Sequence, residues 1–541
     1  MHELRSWWGS RAHDDGRRVS GSRNGRVARP LLAALLVAAC AFAAAQTPGG
    51  VIQVVAAEGA MVFVDGVFVG TTNASQGGLV VLDVAPGSRA VRVVAGGDVL
   101  SDVSVEVVAG GVATVTATGG PAAPRAEGTT APPSADAGGW SQQFGTPQSD
   151  RVHAVATGPN GTVAVAGVTA GALVGPHLGS NDVFVRVLDG AGGVVWEGQF
   201  GTVDNDVAFG LAMDDRGHVA VVGHTTGALA GTNAGEFDAF VRVFGPSGDL
   251  LWDEQFGTEG NDMAVGAAYR RDGSLAVVGR TAGSLVGPLT GRNDVFVRVY
   301  DGQNGAVVWQ DQFGSTSTDT AFGVTALDDG MVVVVGYVSG RLVLPRYGGR
   351  DAFVRAYAAD GAVAWQDQFG SVADDIAFAV ASDGVDRITV VGSTDGSLFT
   401  ASVGDREPFV RTYDAQGTVL LQAQYRAGAA STAATFRTVA YDGAGHVVIG
   451  GGLHGQVSDA YVIASSNLYT LVLDPQGATA WQDFVSSPGT DFAYGVAVDA
   501  SGRLVIVGLV TGDVFGTSAG GADAFVQVRP APEGVVLTPP R

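Results

Sequence analysis

The chain has 541 residues, 82 of them glycine, and 46% apolar side chains, enough for a large core and too many for disorder over most of its length. Its formal net charge of -22 gives a surface that repels phosphate backbones and argues against nucleic acid as a partner. All 31 basic residues are arginine and the one cysteine is Cys40, which excludes lysine Schiff-base chemistry, internal disulfides and multi-cysteine metal or redox sites.

The chain opens on a basic leader. Arg17, Arg18, Arg23, Arg26 and Arg29 precede the run PLLAALLVAACAFAAA at 30–45. A basic segment before a short apolar core is the pattern of a secretory signal, and this core is too short to span a bilayer stably. Val37-Ala38-Ala39-Cys40 resembles the lipobox of bacterial lipoprotein signals, which implies a lipid on Cys40. The alternative is ordinary cleavage after Ala45, where Ala43 and Ala45 are small. Residues 1–45 are therefore expected to be a signal peptide, and any membrane contact is expected through the lipid alone.

Residues 51–118 alternate apolar runs with turn signals. Asp65-Gly66 divides MVFVDGVFVG into a hairpin, and further strands are predicted at 78–84, 89–94, 103–108 and 112–116. The stretch resembles the PEGA domain. Val64, Asp65, Gly66, Val69, Gly70 and Thr71 match its hallmark, Pro86-Gly87 matches its later turn, and Ala57-Glu58-Gly59-Ala60 stands where that family opens on Pro-Glu-Gly-Ala. The resemblance implies a small β-sandwich of envelope proteins without a catalytic role. Residues 119–138 are rich in Pro, Ala, Gly and Thr and read as a linker.

From 139 to 530 one phrase recurs. W-x-x-Q-F-G-T or a close relative starts at Trp140, Trp196, Trp252, Trp309, Trp365, Leu421 and Trp481, at spacings of 56, 56, 57, 56, 56 and 60 residues. Each unit reads as four short strands, so seven units predict an all-β, seven-bladed propeller. In the unit from Trp196 these are VVWEGQFG, NDVAFGLAMD, the doubly buried run HVAVVGHT and the alternating DAFVRV. The block begins with a lone Trp140 strand and ends on a D-A-F-V strand at 523–528, so the first strand is expected to complete the last blade. Pro530 and the tail at 531–541 are expected to leave the ring. The units resemble the SBBP (seven-bladed beta-propeller) repeat in their W-x-x-Q-F-G-T, D-x-A-x-G-V-A, G-x-V-x-V-V-G-x-T and D-A-F-V-R segments. That implies an exported or surface protein and carries no shared reaction. The sixth unit departs, with Leu421, Gln424-Tyr425-Arg426 and Asn467-Leu468-Tyr469 at the motif positions.

Repetition also bounds the chemistry. Asp150, Asp206, Asp262, Asp319, Asp375 and Asp491 share one repeat position. Asp182, Asp238, Asp294, Asp351 and Asp523 share another, with Glu407 in the fifth copy. Each follows a loop and precedes a strand, where a carboxylate satisfies free backbone N–H groups. Arg186, Arg242, Arg298, Arg355 and Arg411 stand four residues after the second acid, so an Asp–Arg pairing between strands or blades is expected. A catalytic site needs one asymmetric arrangement, so these copies are expected to build the frame. Acidic clusters at 204–206, 214–215, 328–329 and 374–375 offer hard oxygen ligands for Ca2+ but lack an EF-hand ladder, and no other cofactor is expected. The propeller histidines, including His153, His177, His218, His224, His446 and His454, have no metal-ligand spacing and are expected at the surface or in turns.

The expected function is a non-enzymatic scaffold, monomeric and exported to the cell envelope, presenting a propeller face to a protein or glycan. Its variable loops are 174–181, 230–237, 286–293, 342–350, 399–406, 454–467 and 515–522. The alternatives are a hydrolase or lyase acting on envelope polysaccharide, which needs asymmetric polar residues converging on the axis, and a calcium-stabilised surface module.

Overall fold

The computed structural model describes residues 50–55, 61–64, 67–71, 79–84, 87–95, 98–108 and 112–116. From 138 to 540 it describes all but 344, 403–405, 426–431, 456–465, 486–488 and 533. The signal segment with Cys40, the Asp65-Gly66 turn, the linker up to 137 and most of the longest loop lie outside the described residues.

The N-terminal segment forms two sheets. Gly50–Val55, a strand missing from the sequence-based prediction, sits between Leu79–Val84 and a parallel neighbour, Val112–Thr116. The second sheet runs in the order Val67–Thr71, Met61–Val64, Gly87–Ala95, Asp98–Val107. Alternation gives each sheet an apolar side: Ile52, Val54, Val62, Val91 and Val93 are buried.

The remainder is a seven-bladed propeller of four-stranded antiparallel sheets. The inner strands are Asp150–Thr157, Asp206–Met213, Met263–Tyr269, Asp319–Ala326, Asp375–Ser382, Thr432–Tyr441 and Phe492–Val498, and each contacts the next around a closed circle. Second strands such as Val163–Thr169 and Val219–Thr225 are buried at every residue, as their unbroken apolar runs require. The Trp strand that starts a sequence unit is the outer strand of the preceding blade: Val194–Phe200 ends the first sheet and Asp206–Met213 begins the second. Sequence units and blades are thus offset by one strand.

Two contacts recur between successive blades. The arginine of D-A-F-V-R lies over the phenylalanine of the previous outer strand, with Arg186, Arg242, Arg298, Arg355 and Arg411 at 4.1–4.6 Å from Phe144, Phe200, Phe256, Phe313 and Phe369. The Trp rings pack on a turn of the following blade. Gly192, Gly248, Gly305, Gly361 and Gly417 sit there at positive φ, and a Cβ on any of them would come within 2.9 Å of the facing Trp ring. Leu421 takes the same place against Gly477. Only glycine meets both the left-handed backbone and the close approach.

Closure follows the expected overlap. Trp140–Phe144 pairs antiparallel with Asp523–Arg529, from Val528↔Trp140 to Ala524↔Phe144, and completes the seventh blade. The tail does not leave the ring. Val535 and Leu537 are buried in the core of the last blades, and Thr538 N donates to Asp442 Oδ2 at 2.9 Å. Two apolar side chains at alternate positions give the tail a buried edge that its prolines had obscured.

Candidate functional site

The recurring acids form a lock. Gln199 of the outer strand donates from Nε2 to Asp182 Oδ2 at 2.8 Å and to the Gly171 carbonyl at 3.0 Å. Its Oε1 accepts from the backbone N–H groups of Leu173 and Val174. Asp182 also accepts from Leu178 N, so one Gln–Asp pair pins both ends of the loop between the second and third strands. The arrangement repeats as Gln255–Asp238, Gln312–Asp294, Gln368–Asp351, Gln424–Glu407 and Gln143–Asp523. The other acid series holds the crossover to the next blade: Asp206 Oδ2 accepts from Thr202 N at 2.5 Å and Thr202 Oγ1 at 2.9 Å. All these aspartates are fully buried. Burial raises the pKa of Asp206 and Asp319, and raises that of Asp375 to about 6, against hydrogen bonds that pull the other way.

The arginines pair between strands or blades, but with acids of the outer strands and not with the buried aspartates, which glutamine and backbone N–H groups occupy. Arg186 pairs with Glu197 and Arg242 with Asp253 on their own outer strands, while Arg298, Arg355 and Arg411 reach Glu254, Asp311 and Asp367 of the previous blade. The indoles also differ in their partners. Trp140, Trp252 and Trp365 donate from Nε1 to the carbonyls of Gly190, Gly302 and Ala415. Trp196 and Trp309 pack against Phe244 and Tyr357, and Trp481 carries Arg529 over its ring at 4.4 Å.

The asymmetric feature of the molecule lies on its axis. Every inner strand pairs with its second strand through a register shift that skips one residue. The cause is the glycine of V-V-G-x-T. A Cβ at Gly167, Gly223, Gly279, Gly336, Gly392, Gly451 or Gly508 would fall within about 2 Å of the facing inner-strand carbonyl, so each glycine admits a bulge. The skipped residues are His153, Phe209, Val265, Phe322, Phe378, Arg437 and Tyr494, one from each blade. All but Phe378 keep partial exposure, although the residue before each of the seven is buried.

Neighbours in this set touch around the circle. His153 stacks on Phe209 with centroids 5.6 Å apart and meets Tyr494 edge-on at 5.6 Å. Phe322 lies 5.5 Å from Phe378, and the guanidinium of Arg437 lies 3.9 Å over Phe378. Just past the bulge the strands close in. A Cβ at Gly210 would lie 2.7 Å from the Val265 carbonyl, and one at Gly323 would lie 3.1 Å from Ala379 Cα. Neighbouring inner strands therefore approach each other closely just past the ring. Second-strand residues add His224, Arg280 and Tyr337 from three consecutive blades. His224 packs on Phe209 and Phe237, and Arg280 Nη2 lies 3.0 Å from Met263 Sδ.

Electrostatics follow from enclosure. Burial, with Arg151 nearby, lowers the pKa of His153 to about 4, and burial with Arg280 and His153 lowers that of His224 to about 3. Both imidazoles are neutral at pH 7. His153 Nδ1 donates to the Ala208 carbonyl at 2.7 Å, which leaves Nε2 as an acceptor. Burial also lowers the pKa of Arg280 and brings that of Arg437 down to about 10.

These positions correct the expectation that His153 and His224 belong to the surface or to turns. His218 and His446 do lie at turns, paired to Asp214 and Asp442 at 2.9 Å. The acidic clusters are split between separate tasks. Asp214 accepts from the N–H groups of Arg216 and His218, Asp328 pairs with Arg271, and Asp374 lies 3.6 Å from Arg350. Among the described residues no group of three or more His, Cys, Asp or Glu side chains is placed to hold a metal ion. The signal that could have revealed the axial ring was the glycine inside each second strand.

No family model matches the chain. The chain is 29% identical over 178 residues to "Regulatory protein FlaEY" of Caulobacter vibrioides, a match that covers 30% of this chain and 18% of that protein. Similar solved structures include the Pan2 WD40 domain of Neurospora crassa, with 11% identity, TM-score 0.39 and coverage of 74% of this chain and 98% of that one. Another is the β-propeller domain of the Trilobed protease of Pyrococcus furiosus, with 13% identity, TM-score 0.41 and coverage of 70% and 93%.

Proposed function

We propose that the protein is an exported, non-enzymatic binding or scaffold protein of the cell envelope. It is held at the membrane by a lipid on Cys40 and presents the loop face of its propeller to a protein or glycan. The N-terminal sheets act as a PEGA-like spacer, and the ring belongs to the SBBP type of repeat. One observation carries the reading. Six blades keep the Gln–Asp or Gln–Glu lock that pins the loop between second and third strands. The sixth blade carries Phe484 and Asn467 at the two lock positions and has the longest such loop. A variable connection on a constant frame is where recognition concentrates. The seven bulge positions hold no carboxylate, whereas polysaccharide hydrolysis of the usual kind needs two.

Two measurements test this. Membrane fractionation of the whole chain should move it to the soluble fraction on Cys40→Ser; retention would sink the anchor. Immobilised protein should capture one component of detergent-extracted envelope. Deleting 456–465 should abolish that capture, and capture that survives the deletion would overturn the assignment of this loop.

A further inference from the structure

We propose that the axial mouth is a binding site for a small organic anion, a carboxylate carried on a flat apolar body. The argument starts from Arg437. Its counterparts in charge, the arginines of D-A-F-V-R, each have a carboxylate within 3.4 Å. Arg437 has none among the described residues. Its partners are ring faces, Phe378 at 3.9 Å and Phe492 at 6.0 Å. A guanidinium laid on an aromatic face keeps its N–H donors in its own plane, free for a carboxylate. Arg280, two blades from Phe378 around the axis, is likewise without a carboxylate partner among the described residues. The acids closest in sequence to the mouth are engaged: Asp374 faces Arg350, and Asp395 holds Arg406 at 2.7 Å.

Two unpaired, enclosed guanidinium groups are costly in any protein and out of character in a chain of 53 acids and 31 bases. An anion supplied from outside would offset that cost. The rest of the ring defines the body of the ligand. His153, Phe209, Phe322, Phe378 and Tyr494 present rings and neutral polar edges, which favour a flat apolar group with hydroxyl or carbonyl substituents over a bare inorganic ion. Neighbouring inner strands crowd together past Gly210 and Gly323, and a mouth lined by one side chain from each blade suits a small molecule. It adjoins the variable loops, since Phe237 packs on His224 and Arg350 lies over Tyr337, but its ligand is a small anion and not the partner proposed for those loops.

The test uses the purified whole chain and three probes: 2-naphthoate, acetate and 2-naphthylmethylamine, by calorimetry with saturation-transfer NMR. Naphthoate is expected to bind at least tenfold more tightly than acetate, with no binding of the amine. Arg437→Met should weaken naphthoate at least tenfold, while Arg216→Met, at an exposed turn, should leave it unchanged. If Arg437→Met does not fold, as judged by its melting profile, Arg280→Met carries the same expectation. Equal binding of acid and amine, no binding of naphthoate, or naphthoate binding indifferent to both arginines would overturn the proposal.

Discussion

Arg437 and Phe378 occupy the same bulge position in adjacent blades, and the guanidinium of one lies 3.9 Å over the ring of the other. Each inner-strand bulge turns one side chain towards the axis, so seven repeats place seven side chains of five kinds where neighbours can touch. The repeat that makes the frame uniform also gives it a single place to be irregular.

The lock between Gln255 and Asp238 should behave as a unit. Gln255→Leu removes one partner of a buried carboxylate, leaves the N–H groups of Leu229 and Ala230 without theirs, and should cost about 1–3 kcal/mol in urea unfolding. The double change Gln255→Phe with Asp238→Asn copies the sixth blade and should cost less than the sum of its parts. Strict additivity would mean the pair is not coupled.

His153 gives a pH signature. Its pKa is depressed to about 4 in the fold against 6.5 in a free chain, so its neutral form contributes stability that is fully present above pH 6.5. That contribution is lost as the pH falls through about 4. His153→Phe, which copies the residue of three other blades, should flatten the stability profile across this window and leave the difference constant above it. Arg151, Tyr494 and His224 surround the site, so their presence in both proteins keeps the comparison clean. A profile unchanged by the substitution would place the imidazole in solvent.

Trp309→Leu should be tolerated with a loss of about 1–3 kcal/mol and no change in fold. Leu421 already fills the equivalent place against Gly477, while Trp309 also packs on Tyr357 at 5.3 Å. Gly361→Ala on the facing turn should be worse than its size implies, because φ is +88° and the added methyl would meet the indole. Circular dichroism melts of the two variants order the effects.

The tail predicts a further loss. Leu537 is 6% exposed, so Leu537→Ala should lower stability by about 2–3 kcal/mol. A variant as stable as the parent would show that the tail contributes nothing to the last blades.

The ring was legible in the sequence because Trp140, Trp196, Trp252 and their successors recur with near-constant spacing and the runs between them carry strand periodicity. The lone Trp140 strand even disclosed how the circle closes. The roles of Asp182 and Gln199 were half legible: spacing marked them as structural, but nothing in a linear sequence says that a glutamine 17 residues on is the partner. The axial ring was hidden for a physical reason. A bulge breaks the two-residue alternation that assigns side chains to faces, so His153 and Arg437 read as ordinary strand residues. The tail was hidden by its prolines, which read as exit signals although Val535 and Leu537 keep it bound.

Closure by Trp140–Phe144 has a mechanical consequence. The five residues that finish the seventh blade follow directly on Gly138 and Gly139, and Arg503 Nη1 donates to the carbonyls of Gly138 and Gly190 at 2.8 Å. Tension drawn through the chain ahead of Gly138 therefore meets this guanidinium clip first and the Trp140–Val528 pair next. The other six sheets are each continuous in sequence and bear no such load. Under pulling, the propeller should fail as a clasp does, at one seam, with the remaining blades still folded.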